Sequence, residues 1–204
     1  DDFPVRMKAV QGLTNTKLFN ADKSIEDDIM AAAKQLVENE GVRAICSACG
    51  FFGNYHRKVA GLLNVPVALS SLVQLPWIRS IIGPEKKIGI LTANASAMTS
   101  ELFYSCCAED VKNIVIKDAM QCEEFSTVVN MRGYFNNGKA SDEIVGIAKQ
   151  LVAESENVGA ILLECSDMPP YAYAVQEATQ LPVFDFITLI RWLHNAATQR
   201  PYSG

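Results

Sequence analysis

Two stretches decide the fold: GVRAICSACG (residues 41–50) and NVGAILLECSD (residues 157–167). Each is an apolar run that breaks at a cysteine followed by small or polar residues. Continuous apolar runs of this length suit strands buried on both faces of a parallel sheet. Laid on one another, Val42, Ala44, Ile45 and Cys49 fall on Val158, Ala160, Ile161 and Cys165, at a constant offset of 116. The match continues through Tyr55, Val59, Pro66 and Val67, which find Tyr171, Val175, Pro182 and Val183. Just upstream, AKQLV at 33–37 recurs at 148–152, and Asp27 and Ile29 match Asp142 and Ile144. The chain reads as a duplication. Shared βα physics explains the apolar positions, but not a cysteine repeated at the strand's end.

Outward from these stretches the pattern alternates. Strands are expected at 3–10 (FPVRMKAV), 42–49, 65–69, 87–91 (KIGIL), 113–117, 158–165 and 182–184. Helices are expected at 24–40, capped by Ser24 and ended by Gly41, and at 53–63, 95–107, 140–155, 169–178 and 187–197. The Gly- and Asn-rich stretch 121–139 reads as a long loop or insertion. Alternating strands and helices mean βαβ units. The expected fold is α/β, with two pseudo-symmetric lobes, each a mostly parallel sheet flanked by helices, and an active site in the interlobe cleft. The lobes are placed at 1–84 and 85–186, and 187–204 is a C-terminal helix and tail that packs back onto the first lobe. KIGIL has no counterpart in the first half, because the offset puts it upstream of Asp1. The first lobe is therefore expected to lack its first strand in this chain.

Composition narrows the function. The 204 residues are 49% hydrophobic and carry a net charge of −5, which suits a globular core and argues against a nucleic-acid binder. The stretch 65–82 is broken by Ser70, Ser71, Gln74, Pro76, Arg79 and Ser80, so no membrane span is expected. Six cysteines are too few for a disulfide scaffold and read as free thiols in a reducing cytoplasm. Cys46 and Cys49 form a CxxC, but an odd separation in a strand points them to opposite faces, against a redox role. No further ligand spacing is visible, so no metal and no cofactor are expected. Cys46, Cys106, Cys107 and Cys122 read as small hydrophobes, His56 and His194 as solvated helix positions, and Trp77 and Trp192 as core or subunit contacts.

Cys49 and Cys165 are the candidate catalytic residues. Both stand where a strand runs out and a helix begins, at the carboxyl edge where ligands bind in open α/β sheets. A helix N-terminus there is expected to lower the thiol pKa and to hold a substrate carboxylate. Two opposed thiols suit inversion of a stereocentre: one thiolate removes a proton from carbon and the other thiol delivers one to the opposite face.

These motifs, ICSACGFF (45–52) and LLECSDMPPY (162–171), together with NVPVALSSLVQLP (64–76), KIGILTANAS (87–96) and LPVFDFITLIRWLHNA (181–196), resemble the aspartate/glutamate/hydantoin racemase superfamily over most of the chain. The resemblance implies a cofactor-independent racemase or epimerase acting on a small carboxylate-bearing substrate, with Cys49 and Cys165 as the acid/base pair. It also implies a homo-oligomer, and substrate contacts from Gly50, Thr92, Asn94, Ser166 and Asp167. The chain departs from the family where Gly50-Phe51 and Ser166-Asp167 replace the Asn-Thr and Thr-His or Thr-Glu that usually follow the two cysteines. That puts aspartate or glutamate in doubt as substrate. A decarboxylase or a cis–trans isomerase of the same fold is the enzymatic alternative, and a two-lobed small-ligand binding protein is the non-enzymatic one.

Overall fold

The computed structural model describes residues 3–201. Two parallel sheets carry it. The first pairs β1 (Ile45–Cys46) with β2 (Val67–Ala68). The second orders β3 (Lys87–Thr92), β4 (Ile114–Asp118), β5 (Val158–Leu163) and β6 (Val183–Phe184) as β4-β3-β5-β6. The duplication is visible in the hydrogen-bond register. Ile45 lies opposite Val67 and Cys46 opposite Ala68; Ile161 lies opposite Val183 and Leu162 opposite Phe184. Ile45 N–H donates to Pro66 O at 2.9 Å, and Ile161 N–H donates to Pro182 O at 2.9 Å. β3 runs beside β5, but among the described residues no strand runs on the corresponding side of β1.

The expected strand at 3–10 is irregular chain. Val5 and Met7 stand exposed there, because no neighbouring strand satisfies a ladder. The helix expected at 24–40 is a turn of 3₁₀ helix followed by α2 (Glu26–Glu40), behind the short α1 (Asn15–Phe19). Acidic Glu26, Asp27 and Asp28 complement the dipole of α2, and Gly41 ends it with φ of 64°. α3 (His56–Leu62) and α8 (Ala172–Thr179) each follow a 3₁₀ turn (Gly50–Tyr55 and Pro169–Tyr171), again at corresponding places. α4 (Leu75–Ile82), with a proline in its first turn, fills a stretch where no helix was expected. α5 (Ser100–Ser105) is shorter than expected. The loop expected at 121–139 contains α6 (Glu123–Val129), held down by the buried Phe125. Its Asn-rich end is the start of α7 (Asn137–Glu154), where the Asn136 side chain accepts from Lys139 N–H.

The larger sheet is buried on both faces, and side chains alternate between them. Ile88, Ile90, Ala160, Leu162 and Phe184 face Ile45, Phe51, Leu72, Leu75 and Ile78 of the first half. Leu91, Ile161 and Leu163 face Ile144, Ala148, Leu151 and Val175. The two halves therefore share one core, which fixes the strand ends of one relative to the other. α9 (Phe186–Ala197) starts with a capping box between Asp185 and Thr188 and packs Phe186, Leu189 and Leu193 against Ala44, Cys46, Ala68 and Val73, back on the first sheet. Among the described residues no helix is long and apolar enough to cross a membrane.

Candidate active site

The carboxyl edges of both sheets converge on the two cysteine loops. Cys49 caps the turn Gly50–Tyr55 with an extended backbone, three residues past β1. Cys165 lies two residues past β5. The Ser166 hydroxyl donates to Ala48 O at 2.6 Å, tying the second loop directly to the first. Each sulfur faces the backbone N–H two residues ahead, Phe51 for Cys49 and Asp167 for Cys165. The repeat has therefore copied a local geometry as well as a residue type. The Cys165 thiol also donates to Asp167 Oδ2 at 3.9 Å.

The expectation of lowered thiol pKa values is overturned. Burial pushes the Cys49 thiol up to about 12, with Glu164 and Asp167 adding to it. Cys165 is raised well above the usual thiol range by burial first, then by Glu164, Asp167 and Cys49. A short helical N-terminus cannot offset desolvation reinforced by two carboxylates. Both shifts favour the thiol over the thiolate at neutral pH.

The residue that sequence reading missed is Glu164, between β5 and Cys165. It is fully buried. Its Oε2 accepts from the Thr92 hydroxyl at 2.8 Å, Ala93 N–H adds a backbone donor, and its Oε1 has no partner. Gly50 lies against that unpartnered oxygen; a Cβ at position 50 would stand 1.7 Å from it. Burial pushes the carboxyl up to about 7, against the lowering effect of Thr92 and Ala93. One signal pointed to it: an acidic residue ending an otherwise apolar strand run has no solvated face to occupy.

The other expected site residues divide. Gly50, Ser166 and Asp167 join the cysteine loops. Thr92, at the end of β3, is buried with its hydroxyl on Glu164, and also accepts from Asn94 N–H at 3.2 Å. Asn94 caps the next turn by accepting from Ala97 N–H. It lines a cleft of about 370 Å³ with Phe19, Asn54, Thr99 and Glu101, and neither thiol lines that cleft. Asp167 is exposed at the rim, its carboxyl nudged upward by partial enclosure and held down by the Cys165 thiol.

Among the described residues no group of three His, Cys, Asp or Glu side chains could hold a metal ion. His56 is buried rather than solvated; its Nδ1 accepts from Leu69 N–H at 3.4 Å, and burial lowers its pKa. His194 stacks on Phe3. Cys106 is buried as expected, whereas Cys107 is exposed. Trp77 and Trp192 are not core: they stand half-exposed and stacked on one another, with ring centroids 6.4 Å apart.

No protein-family profile matches the chain. Among curated proteins, a dimethylsulfoniopropionate lyase of Durusdinium sp. clade D is 33% identical over 209 residues, covering all of this chain and 69% of the relative. Dimethylsulfoniopropionate lyase 7 of Emiliania huxleyi is 33% identical over 176 residues, covering 82% of this chain. The chain spans about half the length of that relative, 51%, and 35% of lyase 5 from the same organism. Among solved structures, an aspartate racemase homologue from Pyrococcus horikoshii superposes with a TM-score of 0.62 at 23% identity, over 90% of this chain and 80% of the other. A variant of arylmalonate decarboxylase in its sulfate-associated form gives 0.59 at 13% identity, over 88% and 79%. The racemase-superfamily fold implied by the motifs is therefore the fold of this chain, while its sequence relatives carry the name of a different activity.

Proposed function

The chain belongs to the dimethylsulfoniopropionate lyase family, and from that premise we propose that it is a lyase that eliminates dimethyl sulfide from dimethylsulfoniopropionate. The observation that carries this reading is the Cys165 thiol donating to the rim carboxylate Asp167. That pairing gives a carbon base with an exit for its proton. The Cys165 proton passes to Asp167 and on to water, leaving a thiolate. The thiolate takes a proton from the carbon next to the substrate carboxylate. The electron pair left behind forms the new carbon–carbon double bond as the bond to sulfur breaks. The products are acrylate and dimethyl sulfide. The sulfonium leaves as a neutral thioether and needs no acid, so one base suffices.

Carbanion formation beside a carboxylate needs donors for the charge that develops on its oxygens. In this reading the turn backbone from Gly50 supplies them, held in place by the Ser166 hydroxyl on Ala48 O. Thr92 contributes through Glu164. No metal or cofactor enters the scheme.

Racemisation or epimerisation is the second reading, supported by one observation: Cys49 repeats the backbone N–H arrangement of Cys165. Inversion needs that second thiol on the opposite face, whereas elimination from an achiral substrate does not. The test is to incubate the protein with dimethylsulfoniopropionate and follow dimethyl sulfide in the headspace and acrylate by proton NMR. Equal amounts of both products, above a protein-free control, are expected. No release, with loss of optical activity from aspartate, allantoin or a hydantoin instead, overturns elimination in favour of inversion.

A further inference from the structure

We infer that Glu164 and Asp167 form an anionic wall that recognises the cationic end of a β-onium carboxylate, and that this cation releases the Cys165 proton once it is bound. The inference rests on the elimination reading and deepens it, by naming what distinguishes the substrate and what arms the base.

The geometry begins with Glu164. A fully buried carboxyl with one oxygen lacking any partner is costly to keep. Its orphaned Oε1 is aimed at the backbone of Gly50, the residue after Cys49, and its main chain leads straight into Cys165. It thus backs both thiol loops at once. Asp167 stands on the open side, 3.9 Å from the Cys165 sulfur. Among the described residues, no lysine, arginine or histidine forms a salt bridge with either carboxylate; the five ion pairs join other residues. Two acidic groups therefore flank the thiols, and neither is salt-bridged among the described residues.

A site that binds only a carboxylate would not be built this way, because two flanking carboxylates repel a simple anion. A zwitterion whose positive charge lies two carbons from its carboxylate removes the conflict. The cation sits against the exposed Asp167, in the field of the buried Glu164 behind the loops, and the carboxylate reaches the turn donors. The same two carboxylates are what, after burial, hold both sulfurs in the thiol form. A bound cation offsets their field, so the Cys165 proton leaves to Asp167 and water only in the complex. The empty site is then protected from stray alkylation and oxidation, since the thiolate is the reactive species. Glu164 acts through the thiols and the bound cation, and is a positioning residue rather than a catalytic one.

The test uses two isosteric ligands that cannot eliminate a sulfide: 3-(trimethylammonio)propionate, which carries the cation, and 4,4-dimethylpentanoate, which has the same shape without it. Binding is measured by calorimetry, and thiolate formation by the ultraviolet thiolate band at fixed pH. The onium ligand is expected to bind at least tenfold more tightly and to raise the thiolate band, an effect lost in Cys165→Ser. Asp167→Asn and Glu164→Gln are each expected to cut the discrimination severalfold, and the rise in the band with it; a purely structural role for Glu164 would leave the band unmoved. Equal binding of the two isosteres overturns the inference, as does discrimination unchanged in both variants. Dimethyl sulfide release without discrimination overturns the wall and leaves the lyase standing. Discrimination without dimethyl sulfide release supports the wall and overturns the lyase.

Discussion

Gly50 and Glu164 occupy one space: a Cβ on Gly50 would stand 1.7 Å from Glu164 Oε1 and 2.7 Å from Glu164 O. The second contact is to backbone, so rotation of the glutamate alone does not clear it. Gly50→Ala is therefore expected to destabilise by about 1–3 kcal/mol, the usual cost of overpacking a closed interior. Glu164→Ala empties part of the same space. In urea unfolding, the double variant should recover at least about 0.5 kcal/mol relative to the sum of the singles. Additivity within error would mean that the two residues do not meet.

Glu164 also predicts how stability varies with pH. Its folded pKa is raised, to about 7 from an ordinary 4.5, so the folded state binds the proton more tightly than the unfolded chain. The stability that this proton contributes is fully present below the unfolded value and is lost as pH rises through the folded one. The loss across that window is up to about 3 kcal/mol. Glu164→Gln, which keeps the shape without the titration, should flatten this fall between pH 4.5 and about 7. Thermal midpoints of the two proteins across the window check it. Parallel curves would mean that the carboxyl does not titrate there.

The thiols separate elimination from inversion. On the proposed elimination Cys165 is the base, so Cys165→Ser should lower dimethyl sulfide release by about a thousandfold or more, within the range for loss of a positioned base. Cys49→Ser should lose about tenfold, through altered packing and electrostatics alone. Equal and near-complete losses at both positions would favour a two-thiol reaction.

The pH profile follows from the raised thiols. Because Cys165 in the free protein lies well above the ordinary range, kcat/KM should climb steadily through neutral and mildly alkaline pH without a plateau. In the complex, the bound cation should bring the turning point of kcat to lower pH. A plateau of kcat/KM near neutrality would mean that the free thiol is already activated.

The duplication was legible because it rests on spacing. An offset of 116 aligned Ile45 with Ile161 and Val67 with Val183, and those residues hold matching places in both ladders. Cys49 and Cys165 were legible for the same reason, since a strand end followed by a turn is a local pattern. Their electrostatics were not: the helix-terminus expectation counted neighbours in sequence, whereas the thiols respond to burial and to Glu164 behind both loops. Glu164 escaped because its meaning comes from Gly50, more than a hundred residues away. The strand expected at 3–10 failed on the same ground, because apolar alternation makes a strand only where another strand accepts it. The turn at 136–138 was misread since Asn and Gly serve both loops and helix caps, and only the tertiary anchor at Phe125 decides between them.

Ser166 gives the last prediction. Its hydroxyl donates to Ala48 O at 2.6 Å and joins the loop of one thiol to the loop of the other. A single partly exposed hydrogen bond contributes about 1 kcal/mol to stability. On the proposed elimination its effect on rate should be larger than that share, because it would then set the separation of the base from the donors on the Gly50 turn, and small misplacements cost up to about a hundredfold. Ser166→Ala is expected to shift the unfolding midpoint slightly while lowering kcat about tenfold, with KM little changed; Ser166→Thr, which keeps the hydroxyl, should restore most of the rate. If the rate follows only the folded fraction, or if threonine fails to rescue it, the bond is structural and the loops are held in register by the shared core alone.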